Sequence, residues 1–344
     1  MRLSIFIWRS ILSVFFILAV AATWFLRGME LAPNSGGHPA SQNRPLAPAT
    51  SPISSDLLSA SSYKDIPVAL DSVEANQIKL TAGLRPGRGQ PIPDAAEIYE
   101  LPVMDVSFYN WRGELLSGWL SLTTSDAPVV ILTHGTPGNR VSMLGRAAFL
   151  HQHGYNVLLF DFQSYGKSQG AFSTLGMVES EDILAAIAFV HSLPETMYSK
   201  IGVLGLSMGA TAAVLAASRS ADIVALIAES CPVDATRVLT DVPSEASRNA
   251  DQQLVQQVYG VDITQARPID YVGKSAGHTA IFFINGDADD ITPLSGMDAL
   301  YQAAADPKQY WVVPGAGHAQ SFSVDPQDYM QRVDAFFDTF FART

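Results

Sequence analysis

The stretch "KIGVLGLSMGA", residues 200–210, decides how the rest of the chain is read. An aliphatic run stops at Gly205, and one serine, Ser207, stands between Gly205 and Gly209. A short continuous apolar run suits a strand buried on both faces, and "MGATAAVLAAS" after it is built of small, helix-compatible residues. Strand, tight turn and helix with G-L-S-M-G at the corner form an arrangement that projects a serine Oγ above the end of a sheet. Glycine is expected at 205 and 209 because a side chain at either position would meet neighbouring backbone. The helix that begins at the serine turns its free N–H groups and positive dipole end toward negative charge forming there.

The same rhythm repeats on both sides of this stretch. "PVVILTH" (128–134), "YNVLLFD" (155–161), "DIVALIAE" (222–229), "TAIFFING" (279–286) and "QYWVVPG" (309–315) are further apolar runs ended by turns. "VSFYN" and "ELLSGWLSL" read as two strands joined around Asn110–Gly113. Helical patterns fill the intervals at 140–152, 177–192, 208–218, 295–306 and 325–341. Strand and helix alternate, so the expected class is α/β: about eight strands, mostly parallel, with helices on both faces and an antiparallel pair at one edge. Between Ser230 and His278 no strong strand is visible. A small helical cap, about 231–272, is expected there, at the functional edge of the sheet.

The chain has 344 residues and a formal net charge of −12. Such a surface repels phosphate backbones and argues against nucleic acid as a partner. Cys231 is the single cysteine. No internal disulfide and no cysteine-based metal site can be built, and no H-E-x-x-H is present, so no metal or cofactor is expected. Residues 1–30 carry Arg2 and Arg9 before an uncharged run from Ser10 to Leu26, about 25 Å long as a helix. They read as a membrane anchor that leaves the remainder on the non-cytoplasmic side. The alternative is a signal peptide cleaved after "AVA" at 19–21, which gives a secreted or periplasmic protein. Residues 31–55, rich in Pro, Ser and Ala, read as a disordered linker. Residues 56–100 support no assignment, and the alternating domain runs over 101–344.

A serine hydroxyl needs a base. His318, in the glycine-rich loop "PGAGH" after the last strand, can reach over the sheet. His151, His153 and His191 end helices, and His278 starts a strand at its opposite end. The imidazole in turn needs a carboxylate. "GDADD" offers Asp287, Asp289 and Asp290 in the turn after a strand, and Glu229 at another strand end is the rival. The backbone N–H of Met208 is one oxyanion donor. In "GTPGNR" Pro137 has no N–H, which leaves Thr136 as the other. His134 reads as an organiser of that loop.

Four spaced motifs, "HGTPGNR" (134–140), "DFQSYGKSQG" (161–170), "GLSMG" and "GDADDITP" with "PGAGH", resemble the α/β-hydrolase superfamily. More narrowly they are similar to the membrane-anchored serine hydrolases of the Bem46-like and α/β-hydrolase-domain-13-like group. The resemblance runs from about Pro102 to Phe341. It implies the α/β-hydrolase fold, places the family's acid on Asp289, and implies acyl transfer to water by Ser207, Asp289 and His318. Gln163 and Ser164 depart from the family's Arg-Gly, and Asn285 stands where the family often has His. The expected function is hydrolysis of small-molecule or lipid carboxylic esters. A peptidase, amidase or thioesterase, and a non-catalytic binding protein on the same fold, are the alternatives.

Overall fold

A computed structural model describes residues 87–88, 91–125, 127–238 and 245–342. The segment 1–30, the linker 31–55 and residues 56–86 lie outside them. Among the described residues no helix is long and apolar enough to cross a membrane.

The sheet has eight strands among the described residues. β1 (Met104–Tyr109), β2 (Leu115–Ser121), β3 (Val129–Thr133) and β4 (Asn156–Phe160) precede the opening motif, and β5 (Ile201–Leu206) carries it. β6 (Ile223–Glu229), β7 (Ala280–Gly286) and β8 (Lys308–Val313) follow. Their spatial order is 1-2-4-3-5-6-7-8. The pairs β1–β2 and β2–β4 are antiparallel, and all the others are parallel. This is the α/β-hydrolase fold. Because the order reverses there, β3 lies beside β5, with Thr133 opposite Gly205. The loops that follow these two strands therefore meet at the carboxyl edge of the sheet, where open α/β folds build their sites.

The apolar strands are covered on both faces, as their uniform hydrophobicity requires. Val129 and Ile131 enter one core with Ile183, Ile187, Val214 and Leu300. Val130 and Leu132 enter the other with Leu144, Leu150, Val333 and Phe336. The first core is covered by α3 (Glu179–Ser192), α4 (Met208–Ala217) and α6 (Leu294–Ala303); the second by α2 (Leu144–Gln152) and by α8 (Pro326–Phe341), which follows the single turn α7 (Ser321–Val324). All ten residues of α4 are buried, which explains its small side chains.

Two details differ from the sequence reading. The helix expected over 140–152 begins as a 3-10 turn, Arg140–Met143, because the Asn139 side chain accepts from the Val141 N–H and ties the first turn tightly. Where the sequence supports no assignment, the described residues of 56–100 contribute a short helix, α1 (Ala95–Tyr99), and a bridge of Gly87 to Tyr165.

Among the described residues between β6 and β7 lie α5 (Glu245–Tyr259) and four short 3-10 turns. They dock through a separate apolar cluster in which Val255, Tyr259 and Ile263 meet Phe172, Leu175 and Val178. The Tyr259 hydroxyl accepts from the Ala171 N–H at 2.9 Å and donates to Gln163 Oε1 at 2.7 Å. This gives Gln163 a physical reason: an arginine at that position has no acceptor to offer the tyrosine. Ser164 adopts φ 66°, a left-handed conformation that glycine enters without strain and serine does not. That is a backbone reason for glycine at the equivalent family position.

Candidate active site

Ser207 sits between the last residue of β5 and the first of α4, at φ 55° and ψ −114°. Backbone in this region is rare for a residue with a Cβ and is held only where its surroundings determine it. Two hydrogen bonds do so: the Ser207 N–H donates to the Glu229 carbonyl, and the Ser207 carbonyl accepts from the Thr211 N–H. The flanking glycines are required by close approach. A Cβ on Gly205 would lie 2.6 Å from the Gly209 carbonyl oxygen, and one on Gly209 would lie 2.4 Å from that of Thr133.

The structure brings Ser207, His318 and Asp289 into one line. His318 Nε2 lies 2.9 Å from Ser207 Oγ. Its Nδ1 lies 3.1 and 3.0 Å from the two Asp289 oxygens. A carboxylate only accepts, so Nδ1 carries the proton and Nε2 is left to accept from the serine hydroxyl. The His318 loop is pinned by the Ala319 N–H, which donates to Ser230 Oγ, and by the Gly315 N–H, which donates to Asp287.

Asp289 is fixed by its own turn. Its Oδ1 accepts from the Ile291 and Thr292 N–H groups, and its Oδ2 from the Thr292 hydroxyl at 2.7 Å. Burial alone would raise its pKa. Hydrogen bonds from His318 and Thr292 outweigh that and hold it at about 2. Asp289 is therefore an anion at neutral pH and can stabilise an imidazolium. Asp290 is exposed, and Asp287 is engaged by Gly315. Glu229 is fully buried, and its carboxylate is engaged by other partners. It pairs with Arg146 through both of its oxygens, at 2.8 Å each, and accepts from the Tyr329 hydroxyl at 2.7 Å.

The loop after β3 approaches the serine closely. A Cβ on Gly135 would lie 3.2 Å from Ser207 Cβ. Thr136 follows it, half-buried, and Met208 opens α4. His134 holds the loop: its Nδ1 donates to the Gly135 carbonyl at 2.8 Å and its Nε2 accepts from the Phe162 N–H at 3.2 Å. Both ring nitrogens are occupied in holding the loop, and burial lowers its pKa. The same loop is tied to the next motif by Arg140, whose N–H and guanidinium both meet Asp161. His151, His153, His191 and His278 find partners elsewhere.

Sequence reasoning missed three residues here: Thr292, Ser230 and Tyr165. The spacing of Asp289 and Thr292 carried a signal, since an Asp that accepts from N–H groups two and three residues on is a local turn pattern. Ser230 and Tyr165 act through neighbours that only the fold supplies.

Known proteins are similar to this chain in sequence and in fold. A Mycobacterium tuberculosis protein of uncharacterised function is 29% identical over 250 residues, covering 72% of this chain and 83% of its own length. A thiohydrolase of Aspergillus aculeatus is 29% identical over 163 residues, 45% of this chain and 51% of its own. The solved structure of the Pyrococcus furiosus esterase Pf2001 superposes with a TM-score of 0.61 at 26% identity, covering 74% of this chain and 98% of its own. The profile of the X-Pro dipeptidyl-peptidase (S15) family matches residues 57–268, more than half of the chain and all of the sheet from β1 to β6 with the serine corner. With that match on an α/β-hydrolase framework, the chain belongs to the S15 family.

Proposed function

We propose that the chain is a serine esterase that hydrolyses carboxylic esters through an acyl-enzyme on Ser207. The observation that carries this reading is the unbroken line from Ser207 Oγ through His318 to Asp289. His318 Nε2 takes the serine proton as Oγ attacks the ester carbonyl. The backbone N–H groups of Thr136 and Met208 receive the oxyanion, aided by the positive end of α4. His318 then protonates the leaving alcohol. In the second half it takes a proton from water, which attacks the acyl-enzyme and frees the acid. Asp289 keeps the imidazole in the required tautomer and balances its charge throughout.

The esterase of known structure supports an ester substrate, and the thiohydrolase relative makes a thioester the nearest variation. Family membership favours a second reading, cleavage after a dipeptide with a free amino end. An α-ammonium needs a free carboxylate beside the site. Among the described residues, the buried acids Glu229 and Asp234 are already paired, the first with Arg146 and the second with Arg237 and Arg267. The ester reading is therefore preferred.

Within the superfamily we place the chain with the membrane-anchored Bem46-like hydrolases, on the four motifs and the apolar N-terminal run. Arg2 and Arg9 put the catalytic domain on the non-cytoplasmic side, and a tether of this kind favours acyl lipids as substrates. Mass spectrometry of the mature N-terminus tests the anchor. A chain beginning at Ala22 or Thr23 means a secreted enzyme instead.

The activity is tested by comparing p-nitrophenyl esters of increasing acyl length, the matching thioesters and an X-Pro anilide with a free amino end, with wild type and Ser207→Ala. Ester turnover that disappears in Ser207→Ala is expected. Faster cleavage of the anilide would favour the peptidase reading, and ester turnover surviving in folded Ser207→Ala would overturn the assignment of the nucleophile.

A further inference from the structure

We propose that Tyr165 is a positioning residue of the oxyanion hole, acting through the Thr136 side chain. The inference rests on the esterase reading and deepens it. Tyr165 lies in the loop after β4, outside the serine, histidine and acid motifs, and it is fully buried. Its hydroxyl donates to Thr136 Oγ1 at 2.8 Å and lies 3.5 Å from Met208 Sδ. One hydroxyl therefore touches the side chains of both residues whose N–H groups are assigned to the oxyanion. Those two residues come from separate loops, after β3 and after β5, and their spacing sets the width of the hole.

The tyrosine is itself clamped. Its ring stands edge-on to His134, centroids 5.1 Å apart, and His134 is the residue that shapes the Gly135–Thr136 turn. On another side Gly87 lies against the ring: a Cβ there would fall 1.9 Å from Tyr165 Cδ1. The Gly87 carbonyl accepts from the Gly166 N–H at 3.1 Å, which fixes that approach. Burial, with Glu179 nearby, pushes the hydroxyl pKa well up, so the group stays protonated and remains a donor at working pH. Oxyanion donors act only if they already stand where the charge will form, and misplacement by a fraction of an ångström is costly. Removing the Tyr165 hydroxyl leaves the Thr136 side chain free to turn, so the N–H beside it loses its fixed direction.

The test is a double-mutant cycle of Tyr165→Phe and Thr136→Val on the full chain, with esters as substrate. Each single variant is expected to lower kcat about tenfold with KM within about twofold, because the hole acts on the transition state. A trifluoromethyl ketone, which mimics the tetrahedral adduct, should lose affinity by a similar factor, while the thermal midpoint changes little. The double variant should resemble either single one, since both remove the same contact. Gly87→Ala, which touches no site residue except through the Tyr165 ring, should lower kcat in the same direction. Multiplying losses in the double variant, or a Thr136→Val enzyme at the wild-type rate, would overturn the proposal. An active wild type with an unaffected Tyr165→Phe sinks this inference alone; a wild type without Ser207-dependent turnover sinks the esterase reading along with it.

Discussion

The ends of β6 and β7 make an instructive pair. Each strand of this parallel pair delivers an acid to the edge of the sheet near Ser207, Glu229 as the last residue of β6 and Asp289 three residues beyond β7. Glu229 is the nearer in sequence to the serine's own strand, and its carbonyl even accepts from the Ser207 N–H. Its carboxylate nevertheless turns into the core, where Arg146 and Tyr329 take up both oxygens. Burial alone would lower the Arg146 pKa, but Glu229 and Tyr329 raise it, so the guanidinium stays charged. Asp289 instead meets short backbone donors, one hydroxyl and His318. Position at a strand end does not decide which acid serves the histidine. The partner set does: a carboxylate already matched by a guanidinium has no interaction left for an imidazolium.

Substitutions at the two ends should therefore separate. Asp289→Asn is expected to lower kcat by about two to four orders of magnitude through the wrong imidazole tautomer, with the fold retained. It should also change the acid limb of stability. The folded-state pKa of Asp289 is depressed to about 2. Its contribution is therefore complete above the unfolded carboxylate value near 4 and is lost as pH falls from there through about 2. Thermal melts between pH 5 and pH 2 should show a shallower loss in Asp289→Asn than in wild type. Glu229→Gln should do the reverse. Leaving Arg146 buried without its anion is expected to cost about 3 to 5 kcal/mol in urea unfolding, while kcat of the folded protein falls far less than in Asp289→Asn. A larger kcat loss in Glu229→Gln would invert the comparison. Thr292→Val sharpens it: one donor to Asp289 is removed, and a kcat loss of about tenfold or less is expected, with the acid limb moved toward higher pH.

Much of this was legible in the chain itself. The strands announced themselves because both faces are covered, so each reads as a continuous apolar run, and the serine corner is marked by glycines at 205 and 209. The loop position of His318 followed from the glycines around it. The choice between Asp289 and Glu229 was not legible from pattern alone, because Arg146 is 83 residues from Glu229 and Tyr329 is 100. A resemblance to a family chose the acid; the contacts give the reason. Gln163 stands where the family has an arginine, and only Tyr259 of α5, 96 positions away, reveals it as a hydrogen-bond acceptor. Long-range partners of this kind leave no periodicity and no local spacing to read.

The central claim is that Ser207, activated through His318, is the nucleophile. Intact-mass analysis after treatment with a fluorophosphonate tests it most directly. A single adduct is expected on the wild-type chain, mapped by peptide sequencing to Ser207, absent from Ser207→Ala and strongly slowed in His318→Ala. A folded, ester-hydrolysing protein that takes no adduct, or takes it on another residue, would contradict it.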